Sequence, residues 1–140
     1  MLNDVMDAIT RRLNELFGED YEIHTDSVRQ GLKEPCFFVQ FLEPSEKQMI
    51  GPRYYRQTDM CIQYMPGDVP QPSRELNRVA DILMDGMEYI TSDDGSLLRG
   101  TGMKARPDMD ENVLTFLVSY NMYVIKRRQE EETMDNVKVN

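Results

Sequence analysis

Residues 113–127 read VLTFLVSYNMYVIKR. Leu114, Phe116, Val118, Tyr120, Met122 and Val124 occupy every second position, so a strand sends all six to one side. About twelve residues at ~3.3 Å each span ~40 Å, well beyond a mean strand. A strand of that length is expected to outrun its own core.

The flanking segments are read against this strand. Before it, RPDMDEN (106–112) predicts a turn, and LLRGTGMKA (97–105) a weaker strand. Gly100 and Gly102 loosen that strand and point to a bulge or a close backbone approach. SDDGS (92–96) is a further turn. Residues 74–90 predict a helix, with Leu76, Val79, Ala80, Leu83, Met87 and Ile90 on its buried stripe and Ser73 as its cap. Gly86 inside that helix costs about 1 kcal/mol against alanine, which suggests close packing. PGDVPQPS (66–73) is a three-proline connector.

RYYRQTDMCIQYM (53–65) predicts a half-buried strand. Thr58, Met60, Ile62 and Tyr64 share one face, and Gln57, Asp59, Cys61 and Gln63 the other. CFFVQFL (36–42) is apolar on both faces apart from Gln40, as an interior strand is, and should pair with 53–65 as a hairpin. Between them, EPSEKQMIGP (43–52) has two prolines and a glycine and predicts a turn. YEIHT (21–25) is a short strand, followed by a polar loop over 26–34. Residues 3–17 form an amphipathic helix on the stripe Leu2, Val5, Met6, Ile9, Leu13, Leu16 and Phe17. Asn3 is its expected N-cap and Gly18 its C′ residue, with Arg11, Arg12 and Glu15 facing water.

The order is therefore helix, three strands, helix, two strands. That segregation argues α+β: a mainly antiparallel sheet of about five strands with two helices packed on one face. Residues 1–127 form the single expected domain, and the polar stretch 128–140 is expected to be flexible.

Composition excludes several classes of function. The 140 residues carry a net charge of −9, against the basic footprint of a nucleic-acid binder. Two cysteines and one histidine cannot supply a four-ligand zinc site. SDDGS and PDMDEN lack the spacing of a calcium loop, and RGTG (99–102) lacks the Lys-Ser/Thr and helix of a phosphate loop. No metal or cofactor is expected. No apolar run is long enough for a membrane span, so no membrane partner is expected. MLNDVMDAITRRL lacks the cationic start and apolar run of a signal peptide, so synthesis in a reducing cytoplasm with free thiols is expected.

The only candidate for nucleophilic chemistry is Cys36 with His24. A cysteine nucleophile needs a lowered pKa, some exposure and a base in reach. PCFFV buries Cys36 as a small hydrophobe, and alternation turns His24 to solvent. Cys61 is the expected exposed thiol. No catalytic residues emerge. RYYR (53–56) suits a protein interface, base stacking, or a solvated strand end, and the net charge opposes stacking. Eleven methionines add weak support for assembly, with Met49, Met103 and Met109 near loops and free to meet a neighbour.

Taken together, QGLKEPCFFV, RYYR, CIQYMP, EYIT, LRGTGM and LTFLVSYNMYV resemble the phage tail terminator (tail completion) family of tailed phages and prophages of Gram-positive bacteria. The resemblance covers roughly residues 1–127. It implies a structural virion protein, made in the host cytoplasm, that forms a ring, commonly a hexamer, at the head-proximal end of the tail. The implied partners are further copies of itself, the tail tube protein and the head–tail connector. DNA would pass through the lumen without being specifically bound, and a carboxylate-lined channel would help it slide. The matched stretches place the candidate interface at Arg53, Tyr54, Arg56, Arg99 and Lys104. The long strand could extend a sheet across a subunit boundary. Another head–tail joining or minor tail protein is the alternative of the same kind; a small enzyme using Cys36 is the alternative of another class.

Overall fold

In the computed structural model, which describes residues 2–26 and 32–127, the alternating stretch is the spine of the sheet. The elements run α1 (Leu2–Phe17), β1 (Glu22–His24), β2 (Cys36–Phe41), β3 (Ser45–Gln48), β4 (Arg53–Met65), α2 (Pro72–Gly86), β5 (Tyr89–Thr91), β6 (Leu97–Asp108) and β7 (Val113–Ile125). β4 and β7 pair antiparallel from Arg53↔Ile125 to Tyr64↔Leu114. Around them the sheet order is β1-β2-β4-β7-β6-β5, with β3 also on β4. Among the described residues, only β1 and β2 pair in parallel.

The two helices cover one face. Val5, Ala8, Ile9 and Leu13 of α1 and Leu76, Val79 and Leu83 of α2 close a core over Phe37, Val39, Met60, Ile62, Tyr64, Leu114, Phe116, Val118 and Tyr120. Burying large apolar side chains contributes roughly 1.5–3 kcal/mol each, so this one cluster dominates the fold's stability. Gly18 ends α1 at φ +86° with its N–H donating to Asn14, as a C′ glycine does. Gly86 does mark close packing, because a Cβ there would lie 2.5 Å from Leu16 Cδ1.

The fold is α+β, but the described residues form seven strands rather than five. β3 falls in the segment expected to turn. All four of its residues are exposed and polar, so it has no apolar face to leave a period-two signal. β5 falls at the end of the expected 74–90 helix, which stops at Gly86. Ile90 is buried as expected, but from β5. Ser73 does not cap α2. Gln71 holds that position without a side-chain cap bond, and Pro72 occupies the first turn, where its missing N–H is harmless. Asn3 lies inside the first turn of α1, and the residue before the helix is outside the described residues. β6 runs on to Asp108, past the expected turn at 106. Its register shifts between Thr101 and Lys104, with Gly102 at φ +62°, which is the expected bulge. The stretch 128–140 and most of the 26–34 loop lie outside the described residues.

Candidate assembly interface

β4 and β7 are each 13 residues long, and the helices cover only part of that length. Along β4, β2 pairs with Met60 to Met65 and β3 with Tyr54 to Gln57. β2 and β3 therefore lie end to end on one edge. The partner sum changes by one between them, so a one-residue slip at 42–44 flips which side chains face the helices. On the other side of β7, pairing with β6 stops at Gly100↔Tyr120. Among the described residues, nothing pairs with the outer edge of β7 over 121–125. The result is a three-stranded ribbon, β3–β4–β7, that leaves the core with an open edge on each side.

RYYR sits on this ribbon. Arg56 donates from Nε (3.1 Å) and Nη2 (2.8 Å) to Glu46 Oε1. Lys126 reaches the other Glu46 oxygen, and its Nζ lies 4.4 Å from the centre of the Tyr54 ring. Lys126 first, and then Arg56, hold the Glu46 carboxyl below its ordinary range. On the helix-free side, the Tyr55 and Tyr123 rings are 5.2 Å apart, and the Arg53 guanidinium is 5.7 Å from the Tyr123 ring centre. At the tip, Ile50 is 87% exposed, and Tyr123 and Ile125 are 62% and 59% exposed. Met49 and Met109 are also open, whereas Met103 is partly buried against the core cluster.

Three of the five candidates, Arg53, Tyr54 and Arg56, thus share the ribbon. Arg99 and Lys104 stand on β6, on the far side of β7. Arg99 is 3.7 Å from Glu88 and opposite Tyr89, and Lys104 is exposed opposite Leu117. Sequence reasoning missed Glu46, Lys126 and Tyr123. The signal for Lys126 was its place at the end of the strongest strand. Glu46 is joined to it only through the sheet.

Charge is unevenly spread. Residues 45–57 and 121–127 hold five cations (Lys47, Arg53, Arg56, Lys126, Arg127) and one carboxylate (Glu46), in a chain of net charge −9. The carboxylates concentrate on helices and turns, where Asp4, Asp7 and Asp93 approach within 4.8 Å of one another and Arg11 pairs with Asp93.

Neither thiol is set up as a nucleophile. Cys36 is buried, and burial, then Glu34 and Glu22, push its pKa up. His24 is half-buried rather than solvent-facing. It bonds Glu22 at 3.0 Å and packs on Phe38, 5.1 Å between ring centres, so cross-strand neighbours on β2 cover it. Cys61 is not the exposed thiol either, at 5% exposure. Leu117 and Gln40 flank it on the paired strands, and burial raises its pKa. A second polar cluster ties α2 to the sheet: Tyr64 Oη donates to Glu75 at 2.5 Å, and Arg78 donates to both Glu75 oxygens and, at 3.3 Å, to Tyr21 Oη. Its charges satisfy one another, which marks it as a structural tie.

Residues 4–132 match the family model described as phage tail terminator protein. No curated protein matches the chain.

Proposed function

The chain belongs to the phage tail terminator family, a structural component of the phage tail, and on that premise we propose that it closes the head-proximal end of the tail tube as a ring of six copies. The ring stops tube polymerisation and gives the head–tail connector a docking face. It is made in the host cytoplasm and acts in the virion as a scaffold.

The observation that carries this reading is the ribbon, whose strand edges on both sides are open among the described residues. Two different surfaces on one subunit allow head-to-tail contacts, and such contacts generate rings when the rotation closes. The apolar tip and the Tyr/Arg content have the character of interface anchors. DNA crosses the channel without specific contacts. The carboxylates that would repel phosphate sit on the helices and turns, so a repelling channel needs that side inward. A channel lined by the basic ribbon would overturn this part of the reading.

The test is native mass by light scattering over a concentration series, alone and with tail tube protein. A closed oligomer near six copies, free or induced by tube protein, supports the ring. A strict monomer that ignores tube protein refutes it and favours another head–tail joining role.

A further inference from the structure

We propose that neighbouring copies join by strand addition: the open edge of β7, residues 121–125, pairs in parallel with the outer edge of β3 of the next copy. This rests on the ring reading and names the contact that builds it.

The backbone shows which groups are offered. Lys126 N–H donates to Pro52 O across the β4–β7 ladder. Alternation then turns the even residues of β7 toward β4, and Asn121, Tyr123 and Ile125 turn their N–H and C=O outward. On the other edge, Met49 N–H donates to Arg53 O. The odd residues of β3 therefore face β4, and Glu46 and Gln48 present their backbone groups outward. Both edges are unpaired among the described residues.

The two edges also match in level and direction. β3 pairs with Tyr54 to Gln57, and the open part of β7 pairs with Arg53 to Gln57. β3 and β7 are both antiparallel to β4, so they run the same way. A rotation about an axis along the strands preserves that direction, so the joined strands are parallel. With strands in step, Lys47 and Met49 of one copy come level with Tyr123 and Ile125 of the next, on the helix-free side. Met49, Tyr123 and Ile125 are exposed and lie outside the subunit's core cluster.

The edges of β6, β1 and β5 are guarded more heavily than the open edge of β7. β6 carries the bulge, Lys104, Arg106 and Pro107 along its outer edge. β1 and β5 are three residues each. Charges, prolines, bulges and short strands are the usual devices against edge pairing. Residues 121–125, NMYVI, have none of them.

The test uses proline where only the outward N–H is lost. Tyr123→Pro and Gln48→Pro should leave the subunit folded, because those N–H groups have no partner among the described residues. Tyr123→Ala keeps the N–H and separates the backbone from the ring. The expected result is at least a tenfold loss of ring with tube protein for either proline variant, and a smaller loss for Tyr123→Ala. Amide exchange on the wild type is independent of whether the variants fold. Tyr123 and Ile125 should exchange fast in the free chain and at least tenfold slower in the ring, while Met122 and Val124 are slow in both. Rings that form normally with both prolines overturn the pairing but leave the ring reading standing. Tyr123 and Ile125 amides already slow in the free chain also overturn it, because another segment, such as 128–140, would then fill the edge. A wild-type chain that never assembles overturns both.

Discussion

Gly100→Ala should cost this protein about 2–3 kcal/mol. Gly100 sits where β5, β6, β7 and the end of α2 meet. Its N–H donates to Glu88 O at 2.6 Å. A Cβ there would lie 2.7 Å from Met87 O, 2.8 Å from Val118 Cγ2 and 3.1 Å from Tyr120 Cε1. Carbon contacts settle near ~3.5–4.0 Å, so the neighbours must retreat by close to ~1 Å. The nearest one is backbone, and it is held: Met87 O also accepts the Tyr120 hydroxyl at 2.6 Å. Overpacking a fixed core costs about 1–3 kcal/mol, and disturbing that buried hydrogen bond adds about 1. Reduced freedom of the unfolded chain returns about 0.4–1 kcal/mol. For a domain of this size the net loss lowers Tm by roughly 6–15 °C. Thermal unfolding by circular dichroism, with urea titration to check that the m-value is unchanged, measures it. Tyr120→Phe loses the hydroxyl alone and should cost about 1–2 kcal/mol. The double variant should cost less than the sum, because both act on the Met87 carbonyl. A Gly100→Ala protein as stable as wild type would refute the close-approach argument.

Gly86→Ala should behave differently: the added Cβ meets the flexible end of Leu16, at 2.5 and 2.6 Å, and the helix gains about 1 kcal/mol of propensity. The net change should stay within about 1 kcal/mol, and a larger loss in urea would mean that Leu16 is locked in place. Acid stability should depend on Glu75, whose carboxyl Arg78, then Tyr64, hold below its ordinary value of 4.5 against partial desolvation. A depressed folded pKa contributes stability above the unfolded pKa and loses it as pH falls through the folded value. Glu75→Gln should therefore be less stable at neutral pH, with the gap to wild type closing in acid; a pH-independent gap in urea midpoints would contradict this. Both thiols should resist a thiol reagent in the native chain and react on unfolding, since burial raises both pKa values. The double variant Cys36→Ser, His24→Ala should assemble like wild type with a modest loss of stability. Lost assembly at native stability would revive a role for that pair.

The sequence alone determined the elements that bury a face. Leu114 to Tyr120 and Met60 to Tyr64 alternate because one side of each strand meets the helices, and the stripes of α1 and α2 repeat because one side meets the sheet. That is why the α+β class, both helices and the long strand were legible, as was the bulge at Gly102. β3 was not, because a strand exposed on both faces leaves only polar residues. β5 was not, because three residues are too short for a period and Ile90 continues the spacing of Met87. Cys61 and His24 were misread because alternation names a face, and neighbours on adjacent strands decide whether that face is covered.

The candidate site divides the same way. RYYR stood out by its residue types, but its ion partners Glu46 and Lys126 lie 10 and 80 positions apart from Arg56 and from Glu46, respectively, and meet only across the sheet. The open edges depend on where β6 leaves β7 and where β2 gives way to β3. Those are facts of strand order and register, set by backbone pairing that any side chain can join, so only the tertiary structure decided them.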